Sequence, residues 1–394
     1  MAVAIRPKQR QKVVATAGNS HIPHEIVFAI LTRVPSAKSL LRFCCVSKSF
    51  RSLISQPSFI EAHHKGSLNH LLVTFPYNSC ETFITSDLEH KKNDDPLVFS
   101  LFNYLNKPCF SKFNNLESIN GLFCLWNDHG NVAICNPFTK QHVFLPGPIE
   151  KVDERIVLTC CSLGFDPTTK KHKILWAQRT SKETERRYWN IFTLGVDTSW
   201  REIQCSFRFF PIRDNCVHID GVIYSINYYE YGQDDYHIGA FNVGEENFRM
   251  IAFPPGISTF LSTIVEIKGE VAILHHEHIK RDGKILMYVL NNGSCEKTIC
   301  VKKQIIELPP KLYNIKETFM HCRFTSTLKG EIVLIPSFKF NSSIMELRYS
   351  FLYFYDMEKK EWIKFKLCGI GIRNFLEVRN GVWCNVAENI WSLK

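Results

Sequence analysis

Residues 119–146 read INGLFCLWNDHGNVAICNPFTKQHVFLP. A glycine leads into the apolar run Leu122–Trp126. A second run, Val132–Cys135, ends at the polar turn Asn136-Pro137-Phe138-Thr139-Lys140, and an aromatic and apolar return follows to Leu145. Runs this short, rich in β-branched and aromatic residues and bounded by Gly, Asn and Pro, predict antiparallel strands joined by turns.

The pattern recurs. IDGVIYSINYY with IGAFNVGEENFRMIAFP, KGEVAILHHEH with ILMYVLNNGSCEKTICV, and KGEIVLIPSF with SFLYFYDMEKKEWIKFKL repeat it, and LGFDPTTKKHKILWA with WNIFTLGVDTSWREIQ is a less regular copy. The leading glycines Gly121, Gly164, Gly221, Gly269, Gly330 and Gly381 are 43 to 61 residues apart. Periods of this size indicate stacked repeats. Four short strands per unit predict a β-propeller of about six blades, with a β-sandwich as the alternative. The last unit stops after NGVWCNVAENIWSLK, so its strands are expected to complete a blade begun by LLVTF and ETFITS near residues 71 to 86 and so close the ring.

Upstream the period changes. IPHEIVFAILTRVPSAKSLLRFCCVSKSFRSLIS, residues 22 to 55, places Ile22, Ile26, Ile30 and Val34 at steps of four, with Val27 and Leu31 widening the stripe, as on an amphipathic helix. Pro23 suits its first turn and Pro35 stops it. Leu40, Leu41 and Cys44 make the apolar face of a second helix. A third, capped by Ser47, carries Phe50, Leu53 and Ile54 to a stop at Pro57, and Ser58 with Glu61 caps a fourth that ends at Gly66. A unit of about 45 residues buries too little surface to use all of these side chains itself, so the remainder is expected either to dock a partner or to pack on the rest of the chain, and spacing alone does not separate the two.

This stretch resembles the F-box, the adaptor-binding module of Skp–cullin–F-box ubiquitin ligases, in its plant form. The positions that match are Ile22-Pro23, Glu25, Ile30-Leu31, Arg33, Pro35, Lys38-Ser39-Leu40, Arg42, Val46-Ser47-Lys48, Phe50 and Leu53-Ile54. Ile22 and Phe50 replace the usual leucine and tryptophan and keep apolar bulk. The repeats resemble the F-box-associated, kelch-like domain that follows the F-box in a large plant family, best at Gly121-Leu122-Phe123-Cys124, Asn136-Pro137-Phe138-Thr139, Leu145-Pro146, Gly164-Phe165-Asp166-Pro167, Ser199-Trp200 and Asp220-Gly221-Val222-Ile223-Tyr224. With a basic arm over 1–18 that its composition marks as disordered, the resemblance implies an α+β multidomain chain: a small N-terminal helical F-box over 19–66 and an all-β propeller-like domain of about six blades over 67–394. It implies a Skp-type adaptor as partner and, through it, a cullin scaffold. The adaptor contacts would come from Ile22, Pro23, Ile30, Leu31, Pro35, Leu40, Leu41, Val46, Leu53 and Ile54.

Composition agrees with two domains. The chain has 394 residues, 45% hydrophobic, with 30 Phe. No apolar run approaches the about 18 residues of a membrane span, and no secretory leader is visible, so a soluble intracellular protein, cytoplasmic or nuclear, is expected. Fifteen cysteines, an odd number scattered through apolar runs, read as buried thiols. The net charge of +10 is diffuse apart from Arg6, Lys8, Arg10 and Lys12.

Chemistry is sparse. No phosphate-binding glycine loop, G-x-S-x-G elbow or H-E-x-x-H is present. His275, His276, Glu277 and His278 form the densest set of potential metal ligands, but strand alternation would bring only His276 and His278 together, so neither metal nor cofactor is expected. The loop YYEYGQDDY, with Tyr228, Tyr229, Tyr231 and Tyr236, either offers rigid contact area for a target protein or continues a strand with tyrosines on its outer face, and Phe207, Phe209 and Phe210 form a second exposed-looking set. Nucleic acid is the weaker reading because no continuous basic groove is visible. Three functions remain open: a target receptor for a ubiquitin ligase, a binding protein that does not promote degradation, and a propeller enzyme.

Overall fold

The computed structural model describes residues 22–64, 66–75, 81–85, 88, 95–147, 156–180, 187–207, 209–227, 237–290, 301–309, 319–327, 329–338, 351–369, 382–388, 390 and 393. The basic arm and Gly381 lie outside them. Four helices come first: α1 (His24–Leu31), α2 (Ala37–Val46), α3 (Lys48–Ile54) and α4 (Pro57–His64). Ser47 caps α3, its hydroxyl accepting from Ser49 N at 3.1 Å. α3 ends at Ile54, ahead of Pro57 as expected, and Pro57 then opens the next helix. It fills the first position of α4, where a missing N–H costs nothing, and Ile60 N already bonds to Gln56 O, so Ser58 sits inside the helix rather than capping it.

The strands follow in groups: β1 (Asn69–Phe75), β2 (Glu81–Thr85) and β3 (Pro96–Leu101); β4 (Asn115–Ile119), β5 (Leu122–Trp126), β6 (Val132–Asn136) and β7 (Gln141–Leu145); β8 (Ile156–Asp166), β9 (Lys171–Thr180), β10 (Arg187–Thr193) and β11 (Arg201–Ile203). Then come β12 (Pro211–Ile219), β13 (Val222–Asn227), β14 (His237–Asn242) and β15 (Asn247–Ala252); β16 (Ser262–Ile267), β17 (Glu270–His275), β18 (Lys284–Leu290) and β19 (Val301–Glu307); β20 (Phe319–Ser326), β21 (Ile332–Phe338), β22 (Phe351–Asp356) and β23 (Glu361–Cys368); and last β24 (Val382–Ala387).

Each complete group is an antiparallel blade with its strands in chain order. The remaining blade joins the two ends of the domain, β24 pairing with β1 in the register Leu72↔Cys384. Six blades result among the described residues. Their innermost strands β24, β4, β8, β12, β16 and β20 touch in that order and close on themselves. At the rim β23 also pairs in parallel with β3, joining two blades into one eight-stranded sheet.

Turn chemistry explains the repeat. Asn120-Gly121, Asp220-Gly221 and Lys268-Gly269 all have positive φ at both positions, which a two-residue hairpin of matching twist requires. The five-residue turns Asn136–Lys140, Asp166–Lys170, Asn242–Glu246 and Asp356–Lys360 share a second device. The side-chain oxygen of the first residue accepts from the backbone N–H groups two and three places on, and the fifth residue has positive φ. Gly164 departs from the expected series. It lies within β8, where a Cβ would come 2.6 Å from Val243 Cγ2 of the next blade, so it serves close packing and not a turn. Blades are also tied by two equivalent indoles: Trp200 Nε1 donates to Pro146 O at 2.6 Å and Trp362 Nε1 to Glu307 O at 2.8 Å, each reaching the preceding blade.

Because every blade is an antiparallel meander, the turns after its first and third strands share one face of the ring. The loops after second strands and the connections between blades share the other. Cys124, Cys135, Cys160 and Cys161 are buried free thiols.

Candidate functional site

The helical module builds a core of its own from Leu31, Ala37, Leu40, Leu53, Ile54, Phe59 and Ile60, with Val27, Phe28, Val34, Cys44 and Phe50 half-buried against it. Phe28 meets Phe59 edge to face at 5.3 Å. The His63 ring bonds Val34 O at 2.9 Å, and Arg51 Nε donates to Cys44 O at 3.2 Å across α2 and α3.

What this core leaves out is a second apolar stripe. Ile26 and Ile30, a step of four apart on the outer side of α1, are 51% and 55% exposed, and Ile22, ahead of the helix because Pro23 is its extended N-cap, is 56% exposed; Val46, at the end of α2, is 76% exposed, and Phe43, one turn before it, is also exposed. Pro23 and Pro35 are exposed and Leu41 is half-buried. The module's own core thus leaves Ile26 and Ile30 of α1 and Phe43 and Val46 of α2 exposed. Of the ten expected contacts, then, Ile22, Pro23, Ile30, Pro35, Leu41 and Val46 face outward or to the edge. Leu31, Leu40, Leu53 and Ile54 are corrected: they fill the module's own core and are closed to a partner. Ile26 and Phe43, not among the ten expected contacts, are exposed as well. Ile26 stood in the quoted stripe, and nothing in spacing alone separated it from the inward residues.

The module is fixed to the ring at its closure point. Glu388 directly follows β24, and its carboxylate Oε2 accepts from Ala37 N at 2.6 Å while Oε1 lies 3.2 Å from His70 Nε2 on β1. Ser36 makes no side-chain cap, so the N-terminus of α2 is capped from the far end of the chain. His70 Nδ1 bonds Thr85 O at 2.6 Å, Glu388 N bonds Leu68 O at 2.9 Å, and Ile390 enters the helical core. Lys170 in a β8–β9 turn pairs with Glu61 of α4 at 2.6 Å, an exposed contact of small energy. The helices therefore sit on the turn face. Near this seam burial lowers His63 and His64, holds His172 at about 3 with the charges of His218 and His64 adding to the effect, and holds His218 at about 4.

Tyr228, Tyr229, Tyr231 and Tyr236 fall between β13 and β14 in the sequence and lie outside the described residues. Phe209 is corrected: it stacks on Trp189 at 5.8 Å and is buried with Phe210, leaving only Phe207 exposed. The histidines also differ from expectation. β17 ends at His275, and a helical turn, α5 (Ile279–Asp282), follows at once, so alternation stops and His275, not His276, lies beside His278. His275 is tied to Ser262 Oγ at 3.0 Å and to Glu277 at 3.2 Å. Among the described residues no three His, Cys, Asp or Glu side chains are grouped to hold a metal ion, and no helix is long and apolar enough to cross a membrane.

Comparison with known families agrees with this architecture. The F-box associated beta propeller domain family matches residues 70–389 and the F-box-like family residues 19–61. A putative F-box protein of Arabidopsis thaliana is 29% identical over 358 residues, covering 86% of this chain and 83% of that protein. A second is 26% identical over 375 residues, covering 93% and 90%. An F-box/kelch-repeat protein of the same plant is 28% identical over 342 residues, covering 80% and 76%. A helical module with an unspent apolar ridge, fixed to a six-bladed ring that these families match over most of its length, identifies the chain as a member of the F-box-associated β-propeller family, an F-box protein with a substrate-adaptor role.

Proposed function

We propose that the chain is the substrate-recognition subunit of a Skp–cullin–F-box ubiquitin ligase. Residues 19–66 dock a Skp-type adaptor and through it a cullin, and the propeller over 67–394 holds a target protein for ubiquitination, in the cytoplasm or nucleus. The observation that carries this reading is the exposed stripe Ile22, Ile26 and Ile30 with Phe43 and Val46, left over once the module's own core is complete. The Glu388 seam supports it too, because a fixed angle between the two parts converts binding into proximity and orientation of target lysines. The chain acts without catalysis of its own. The target sits on the loop face, away from the helices, with Tyr228, Tyr229, Tyr231 and Tyr236 as candidate contacts.

The test is recovery of partners from plant extract with the proteasome blocked, using wild type beside Ile26→Asp/Ile30→Asp. Adaptor and cullin with wild type alone support the receptor reading, and proteins kept by both chains are target candidates. Equal recovery by both chains overturns the assignment of the ridge. Retained targets whose turnover does not depend on the ridge would favour a binding protein that does not promote degradation.

A further inference from the structure

Outer strands of a propeller are sheet edges, open to pairing with another chain unless guarded. Five of the six are guarded here. β3 and β23 pair with each other over Pro96–Val98 and Lys366–Cys368. β11 carries Arg201 and Glu202, β15 carries Arg249, and β19 carries Lys302 and Lys303. β7 reads QHVFL, has no Asp, Glu, Lys or Arg, and among the described residues has no strand on its outer edge, its one contact from the C-terminal segment being Leu393 N to the Gln141 side chain at 3.1 Å, at the start of the strand and away from Phe144 in sequence.

The surface beside that edge is aromatic and basic. Phe144 on β7 is 44% exposed. Phe113 lies nearly parallel to it with centroids 6.3 Å apart, and His142 approaches it at 5.4 Å, held by Tyr104, whose hydroxyl is 3.1 Å from His142 Nδ1. Lys112 Nζ stands 5.6 Å from the Phe144 centroid and Lys107 Nζ 4.4 Å from that of Tyr104. Residues 102–115 and 137–147, which build this surface, include Lys107, Lys112 and Lys140 and no acidic side chain.

We propose that the β7 edge takes an extended acidic segment of a partner protein as a fifth strand of its blade, an apolar side chain of that segment covering Phe144 and a carboxylate meeting Lys112. Main-chain bonds to the open edge supply affinity and the aromatic floor and lysines select the sequence. Where that partner is the ubiquitination target the inference rests on the receptor reading; the binding itself does not.

The full chain is presented with displayed random peptides, and the enriched consensus is synthesised. The expected consensus alternates apolar residues with Asp or Glu and lacks a central proline, and Phe144→Lys/Lys112→Glu weakens it by roughly tenfold or more. Both sites are exposed, so the variant keeps its fold, checked by adaptor recovery. Enrichment of no acidic extended peptide, or affinity unmoved by the double substitution, overturns the proposal. Preference for a single-stranded oligonucleotide competing for the same lysines overturns it too, giving the surface to nucleic acid. Loss of adaptor recovery in wild type would count against the α1 ridge and leave the β7 result standing.

Discussion

Glu388→Ala removes the only side-chain cap given to α2 among the described residues, together with the contact to His70. A hydrogen bond to a buried carboxylate contributes about 1.5–3 kcal/mol. Losing the His70 contact as well brings the expected cost to about 2–4 kcal/mol, while Glu388→Gln, which keeps an acceptor, should lose about half as much. The loss falls on the weaker partner. The helical module is near the size limit for independent folding, whereas the propeller retains six packed blades. All 7 Trp lie outside residues 22–64, so their fluorescence follows the propeller while far-UV circular dichroism of the helical signal follows the module. In wild type the two should melt together in denaturant. In Glu388→Ala the helical signal should melt first, with adaptor affinity falling in parallel. A change below about 0.5 kcal/mol, typical of an unremarkable surface position, or coincident transitions in the variant, would refute a functional seam at Glu388.

Other consequences are as specific. Burial keeps His172 and His218 neutral well below their ordinary 6.5, so the unfolded chain binds protons that the folded chain refuses; stability is complete above pH 6.5 and falls as the pH drops toward about 4 and 3. His172 alone should lose about 2 kcal/mol by pH 5, and His172→Phe should flatten the pH dependence of the denaturation midpoint. Gly164→Ala drives a methyl into Val243 and should cost about 1–3 kcal/mol by chemical denaturation, whereas Gly147→Ala, with open space around it, should cost little. Truncation before β24 removes the strand that closes the ring and should abolish cooperative unfolding seen by tryptophan fluorescence, not merely shorten the chain.

The repeat was legible because turn chemistry is local: Asn-Gly, Asp-Gly and the Asn or Asp five-residue turns announce hairpins wherever they occur, and ring closure followed from an incomplete last unit. The in-or-out choice on α1 was not. Its eight residues are apolar on two sides, and Ile30 and Leu31 are neighbours in sequence that part company only when α2, α3 and α4 arrive to cover one of them. The same limit hid Phe209, which looked exposed in a short aromatic run and is covered by Trp189 from a different strand. Gly164 matched the repeat period yet answers to Val243 in the adjoining blade. Glu388 carried no signal at all, because its partners, Ala37 and His70, lie at the other end of the chain.

The central claim is that the outer stripe of α1 docks a Skp-type adaptor while the inner one holds the module together. Titration of purified adaptor against wild type, Ile26→Asp/Ile30→Asp and Leu40→Asp, each beside its helical signal, separates these roles. The outer variant should keep its fold and lose adaptor affinity, and the inner variant should lose both. Adaptor binding at wild-type affinity by a folded outer variant would contradict the account.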